Sequence, residues 1–231
     1  MRHVMDPLVT IPNNQAGLPR GIEITLALMA LAVALPLLSV IALAVMLTSS
    51  RPVLFRHRRV GRGGKCFTLV KFRTMRSDRC GAAVTAKRDP RITPFGRLLR
   101  KSKLDELPEL WNVVRGDMSL VGPRPEAVEY VDLLNPAWQE VLSVRPGITD
   151  PMTLRLRNEE ELLAASGVGH EEFYRRHLLP YKLSGYRTYI RERTWARDVA
   201  VLWLTLLAVV LPGRVPAPCP DDIMSSQQAV S

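Results

Sequence analysis

The sequence predicts an α+β protein, mostly helical, that is anchored in a membrane and carries a small β-hairpin. Three stretches support that expectation. Residues 24 to 50 hold no charged side chain and are dominated by Leu, Ala, Val, Ile and Met through Leu47. Residues 52 to 76 look like two short strands around Gly61, Gly63 and Gly64, with Phe67, Leu69 and Lys71 alternating with Thr68, Val70 and Phe72. Behind the adjacent acids Asp105 and Glu106, the side chains Leu107, Leu110, Trp111 and Val114 recur at helical spacing, which predicts a short amphipathic helix over 106 to 114, closed by Gly116.

Taken in order, residues 1 to 21 contain Pro7, Pro12, Pro19, Asn13 and Asn14 and read as an irregular lead-in. The apolar block that follows starts too late and runs too long for a signal peptide. As a helix, residues 24 to 47 would extend about 36 Å, enough to cross a hydrocarbon core of about 30 Å. Pro36 sits in the middle of the block, removes a helical hydrogen bond, and is expected to kink or break the helix. A kinked helix still spans, whereas a broken one can turn back; physics alone slightly favours the span. Arg51, Arg56, Arg58, Arg59 and Arg62 place the end of the block in the cytoplasm in either case.

Net charge is +10, and residues 51 to 103 carry 17 Lys or Arg against Asp78 and Asp89, a local balance of +15. Such a field draws nucleic acid, anionic lipid headgroups or nucleotide diphosphates. The three cysteines, Cys66, Cys80 and Cys219, are odd in number and match no metal spacing, so a reducing compartment without disulfides is expected. The hairpin would display Lys71 and Arg73, and residues 77 to 99, with the turn Asp89 to Gly96, read as a linker. Helices are expected at 126 to 134, 159 to 165 and 171 to 179, and a tight turn at 145 to 149. His170 and His177 read as surface residues. The charge-free block 199 to 212 is too short for an ordinary span and suits a buried or interfacial helix. The tail from Gly213 is expected to be disordered. The chain thus divides into a lead-in (1–21), a membrane segment (22–50), a region facing the cytoplasm (51–212) and a tail (213–231).

Asp105 and Glu106 stand between the basic approach Arg100 to Lys103 and the turn Pro123-Arg124-Pro125. At a helix N-terminus, free N–H groups and the macrodipole also favour phosphate. A carboxylate pair there can bind Mg²⁺, and one member, already ionised at neutral pH, can attack phosphorus without a general base. The same spacing also fits a capping box, Ser102 with Asp105, with Glu106 complementing the dipole. Spacing alone leaves both readings open.

Six motifs in order decide between them: Lys71-Phe-Arg-Thr-Met75, Asp89-Pro-Arg-Ile-Thr-Pro94, Leu104-Asp-Glu-Leu-Pro108, Leu110-Trp-Asn-Val113, Gly116-Asp-Met-Ser-Leu-Val-Gly-Pro-Arg-Pro125 and Arg145-Pro-Gly-Ile-Thr149. Together they closely resemble the monotopic phosphoglycosyl transferases, the bacterial sugar transferase family, over residues 20 to 211. The resemblance implies an enzyme of the bacterial inner membrane that faces the cytoplasm. It would move a phosphosugar from a UDP-sugar to undecaprenyl phosphate, release UMP, and so start the assembly of a glycan of the exopolysaccharide, O-antigen or capsule type.

By motif position, the resemblance makes Asp105 the nucleophile of a covalent phosphosugar intermediate and Glu106, beside it, a ligand of Mg²⁺. Arg124 is the implied phosphate contact, framed by Pro123 and Pro125, with Arg100, Lys71 and Arg73 assisting. The resemblance also implies a membrane segment that is re-entrant, helix–break–helix about Pro36, and interfacial amphipathic helices beside it. Glu23 stands where family members commonly have Asp, and Lys103 where a small hydroxyl residue is usual. After Gly147-Ile-Thr149 the chain continues Asp150-Pro-Met-Thr-Leu-Arg155 in place of a Gly and a Gln-containing strand. The expected partners are the two substrates and anionic lipid, not nucleic acid; self-association is left open. The alternative reading is a non-catalytic, membrane-anchored basic protein that binds anionic lipid or nucleic acid, which accounts for the charge but not for the paired acids and the Pro-Arg-Pro turn.

Overall fold

The computed structural model describes residues 17–49, 51–76, 89–166, 169–210 and 223. The apolar block forms helix α1, Arg20–Thr48, a single element with Pro36 inside it. The break expected at Pro36 is therefore not seen. Both ends of α1 are rooted in the rest of the molecule. Glu23, only 2% exposed, accepts the Leu120 N–H at 3.1 Å and an Arg20 N–H at 3.2 Å. Ala27 is buried in the main core with Val113, while Ile41 and Val45 pack with Phe72 and Leu99 in a second, smaller cluster. Between those two footholds Met29, Val33, Leu35 and Val40 are exposed.

Strands β1 (Leu54–Val60) and β2 (Cys66–Phe72) pair antiparallel through a 3₁₀ turn, Arg62–Gly64, as the glycines foretold. Gly63 and Gly64 have φ of 66° and 74°, a region closed to most side chains. Helix α2, Pro94–Ser102, corrects the expected linker: Pro94 and Gly96 belong to a helix start. The Thr93 hydroxyl accepts the Gly96 N–H at 2.9 Å, and Pro94 sits where its missing N–H costs nothing. Ser102 ends this helix and donates its hydroxyl to the carbonyls of Leu98 and Leu99, so the capping box with Asp105 does not form.

The central helix also starts later than expected. A 3₁₀ turn, Leu104–Glu106, holds the two acids, and α3 runs Glu109–Arg115 until Gly116 closes it at φ 92°. Strand β3 (Ser119–Val121) pairs in parallel with β4 (Gly147–Thr149), where a turn was expected at 145 to 149. A Cβ on Gly147 would lie 2.1 Å from the Gly122 nitrogen, so the two glycines let the chains meet. The helix expected at 126 to 134 shrinks to a 3₁₀ turn, Val128–Tyr130, because Glu126 gives its carbonyl to the Val60 N–H and Ala127 bridges to Arg59.

Helices α4 (Pro136–Val141), α5 (Pro151–Arg155) and α6 (Glu159–Ala165) follow, the last with the bounds expected. Helix α7 (His170–Phe173) passes through a π turn, Tyr174–Leu178, into α8 (Leu179–Arg191). His170 is exposed and His177 is half-buried, its ring 5.5 Å from Phe173. The second apolar block lies in α9, Trp195–Val210. Asp198, fully buried, roots α9 by accepting the Tyr189 hydroxyl at 2.7 Å and the Leu18 N–H at 3.0 Å. Trp195, Trp203 and Leu206 face outward, each more than 60% exposed. Phe173, Tyr186, Tyr189 and Met118 fill the core. The disorder expected of the tail lies outside the described residues, save Ile223, which is buried in that core.

Candidate active site

The site is assembled by Asn112. Its amide donates to the Thr68 carbonyl at 2.8 Å and its Oδ1 accepts the Val70 N–H at 3.2 Å, tying α3 to β2. That stitch sets Lys71, the next residue of β2, beside the acids. The Lys71 ammonium lies 3.0 Å from Glu106 Oε1 and 3.0 Å from Glu109 Oε1. Arg124 arrives from the opposite side on the Pro-Arg-Pro turn. The Pro123 carbonyl accepts the Gly147 N–H at 2.9 Å and the Pro125 carbonyl accepts from Arg59 at 3.3 Å, which holds the turn to β4 and β1. The Arg124 guanidinium grips Glu106 with both arms: Nη1 donates to Oε2 at 3.3 Å and Nη2 makes a closer contact with Oε1.

The two neighbouring acids therefore differ. Burial alone would raise Glu106, but the charges of Arg124 and Lys71 outweigh it and hold that carboxyl well below the usual range. Asp105 is pushed up, first by burial and then by the Glu106 charge, with Lys71, Arg100 and Lys103 pulling the other way. It is 7% exposed, and its buried Oδ1 has no hydrogen-bond partner among the described residues. Glu109, 1% exposed, is likewise pushed up by burial, and its Oε2 also lacks a hydrogen-bond partner.

Asp105, Glu106, Lys71 and Arg124 thus meet as expected. Arg100 approaches, close enough for its charge to act on Asp105, but it is held by the Thr74 hydroxyl at 2.9 Å and by Glu160 of α6 at 2.5 Å. Arg73 does not join them: its Nε donates to the Pro52 carbonyl at 2.7 Å. Residues alternate across a strand, so Lys71 and Arg73 share a face, but Arg73 lies beyond the end of β2 and turns to the neighbouring chain. Lys103 takes a left-handed backbone, φ 58°, between α2 and the acid-bearing turn. Glu109 was missed from sequence; its signal was the spacing of three from Glu106, which puts both on one helical face.

Among the described residues, no three His, Cys, Asp or Glu side chains converge as a ready cation cage. Mg²⁺ seldom needs one, since it is commonly held by one or two carboxylates and completed by substrate phosphates. The bare Oδ1 of Asp105 fits that role. Glu106 already faces two cationic side chains and would have to exchange one of them.

The sequence pattern of the family described as bacterial sugar transferase matches residues 14–212. An exopolysaccharide production protein of Rhizobium leguminosarum bv. phaseoli is 42% identical over 148 residues, 60% of this chain and 74% of that protein. A UDP-glucose:undecaprenyl-phosphate glucose-1-phosphate transferase of Caulobacter vibrioides is 44% identical over 135 residues, 56% of this chain and 51% of its own length. A UDP-N-acetylgalactosamine-undecaprenyl-phosphate N-acetylgalactosaminephosphotransferase of Aeromonas hydrophila is 40% identical over 139 residues, 58% of this chain and 33% of the relative. The chain spans less than two thirds of the length of most curated relatives it matches.

Proposed function

The chain belongs to the bacterial sugar transferase family, and from that premise we propose that it transfers a phosphosugar from a UDP-sugar to undecaprenyl phosphate. The observation that carries the proposal is Asp105: a buried carboxylate with a bare oxygen, beside an acid clamped by Lys71 and Arg124. A carboxylate with no hydrogen bond to break is a poised nucleophile. Asp105 attacks the phosphorus that bears the sugar, the bond from that phosphorus to the bridging oxygen breaks, and UMP leaves with that oxygen. An oxygen of undecaprenyl phosphate then attacks the same phosphorus and frees Asp105, giving the lipid-linked diphosphosugar.

Arg124 and Lys71 exchange Glu106 for the donor's phosphate oxygens and fix the line of attack. Arg100 adds positive field from the Asp105 side. A bound Mg²⁺, held by Asp105 and Glu106, would offset the charge on the departing nucleotide.

The membrane arrangement supports the same reading. A straight span of 29 residues would part its ends by about 43 Å. Glu23 and Ala27 near one end, and Ile41 and Val45 near the other, are nevertheless buried in the same body. Burial at both ends supports a segment that enters one leaflet and stays there even though α1 is unbroken at Pro36, with the outer faces of α1 and α9 in lipid. The arginines after α1 support a site on the cytoplasmic face of the inner membrane. The test is the nucleotide released from a UDP-sugar with undecaprenyl phosphate and Mg²⁺: UMP is expected, while UDP would mean ordinary glycosyl transfer. Topology is tested by a cysteine at Ala16, expected to be reachable from the cytoplasmic side only.

A further inference from the structure

Glu109 is the one acid of the cluster to which that function gives no task. It is buried, its Oε2 carries no hydrogen bond, and its only cation within ion-pair distance among the described residues is Lys71 at 3.0 Å. Lys71 also serves Glu106, so one ammonium is shared between two carboxylates. Lys71 and Arg124 thus face Glu106 and Glu109 at close range, while Arg100 and Lys103 act on Asp105, and only Glu109 must share its single cation. A buried, half-satisfied carboxylate destabilises the fold, which points to a use elsewhere.

We propose that Glu109 is a charge-balancing residue that acts through Lys71 to weaken the site's hold on phosphate, so that the spent nucleotide leaves. When Lys71 and Arg124 let go of Glu106 to take a diphosphate, Arg124 is free to give its full charge to the anion. Lys71 is not, because Glu109 still holds it from behind. The unpaired Oε2 adds a negative field that low-dielectric surroundings do little to screen. The donor has two phosphates and a sugar to hold it, whereas the released nucleotide has one phosphate, so this repulsion falls hardest on product. Glu109 therefore touches no reacting atom; it sets how tightly the two cations bind what remains after transfer.

This inference rests on the reading of the site as a nucleotide-phosphate site, and one experiment separates the two. UMP binding is measured by calorimetry on the full chain in lipid nanodiscs, for the wild type, Glu109→Gln and Glu109→Asp, with turnover measured in parallel. Gln keeps an oxygen for Lys71 but removes the charge; it is expected to bind UMP about tenfold tighter or more, to show stronger inhibition by UMP, and to turn over more slowly. Asp keeps the charge and is expected to bind UMP as the wild type does. A residue with a merely structural role would give the opposite sign, weaker binding with a lower Tm. UMP affinity unchanged or weaker in Glu109→Gln overturns the inference while the functional reading stands. Failure of the wild type to release UMP in the parallel turnover assay overturns both. Should Glu109→Gln not fold, Glu109→Met, uncharged and similar in volume, carries the same expectation.

Discussion

Two buried charge clusters lie on either side of the Pro-Arg-Pro turn, and they are built to opposite ends. Behind the turn, each Glu126 oxygen faces a partner: the Lys182 ammonium pairs with Oε1 at 2.7 Å, an ion pair rather than a hydrogen bond, and the Tyr174 hydroxyl donates to Oε2 at 2.7 Å. Lys182 in turn reaches Glu159 and the Tyr174 oxygen. In front of the turn, Asp105 Oδ1 and Glu109 Oε2 are buried with neither a hydrogen bond nor a cation within ion-pair distance among the described residues. Burial desolvates both clusters, but only the rear one is compensated partner by partner. The lesson is that burial of charge alone does not mark a functional site; a buried carboxylate oxygen left with neither a hydrogen bond nor a counter-ion points to one.

The comparison breaks first at Asp105. Asp105→Asn is expected to lower turnover by about 10⁴-fold or more, because no other group can form the covalent link. The same change should leave Tm unchanged or raise it, since the folded-state carboxyl is pushed up by burial and its charge is a liability to the fold. Parallel assays of UMP release and thermal unfolding check both halves. Next comes Arg124→Lys, which keeps the charge and loses the two-armed grip; turnover should fall by about 10²- to 10³-fold.

Lys182→Met tests the rear cluster. It leaves Glu126 buried without its cation and should cost about 3–5 kcal/mol of stability, while the fraction that remains folded keeps most of its activity. The pH sign follows from the shifts. Burial would raise Glu126, but Lys182 outweighs it and holds the carboxyl low, so that stability is present above about pH 4.3 and lost as pH falls through the lower folded value. Burial would lower Lys182, but Glu126 and Glu159 hold it above its ordinary value, so its share is present below about pH 10.4 and lost as pH rises through the folded value. Unfolding measured against pH should therefore lose its steep acid limb in Lys182→Met. The smallest effect is expected of Arg73→Gln, whose side chain serves Pro52 rather than the acids: less than about threefold in turnover.

How much of this was legible in the sequence depended on range. Local signals read true: the glycines of the β1–β2 hairpin, Gly116 at the end of α3, and the acidic start of α6. The start of α2 was also written there, in Thr93-Pro94, but the same Pro and Gly types mark loops, and the loop reading prevailed. The β3–β4 pair was invisible because three-residue strands have no periodicity and their parallel pairing joins distant segments. At the site, motif order brought Asp105, Glu106, Arg124 and Lys71 together before any geometry was known. Glu109 was passed over because it read as one more polar position on a helix, and the Glu126–Lys182 pair because nothing in either neighbourhood points to the other.

The most direct measurement is a trapping experiment on the full chain in nanodiscs, given UDP-sugar and Mg²⁺ but no acceptor, followed by intact-mass analysis and peptide mapping. The expected result is one added sugar phosphate on the peptide that holds Asp105, discharged when undecaprenyl phosphate is supplied. An unmodified Asp105 peptide at every time point, in protein that still makes lipid-linked product when acceptor is present, would contradict the account.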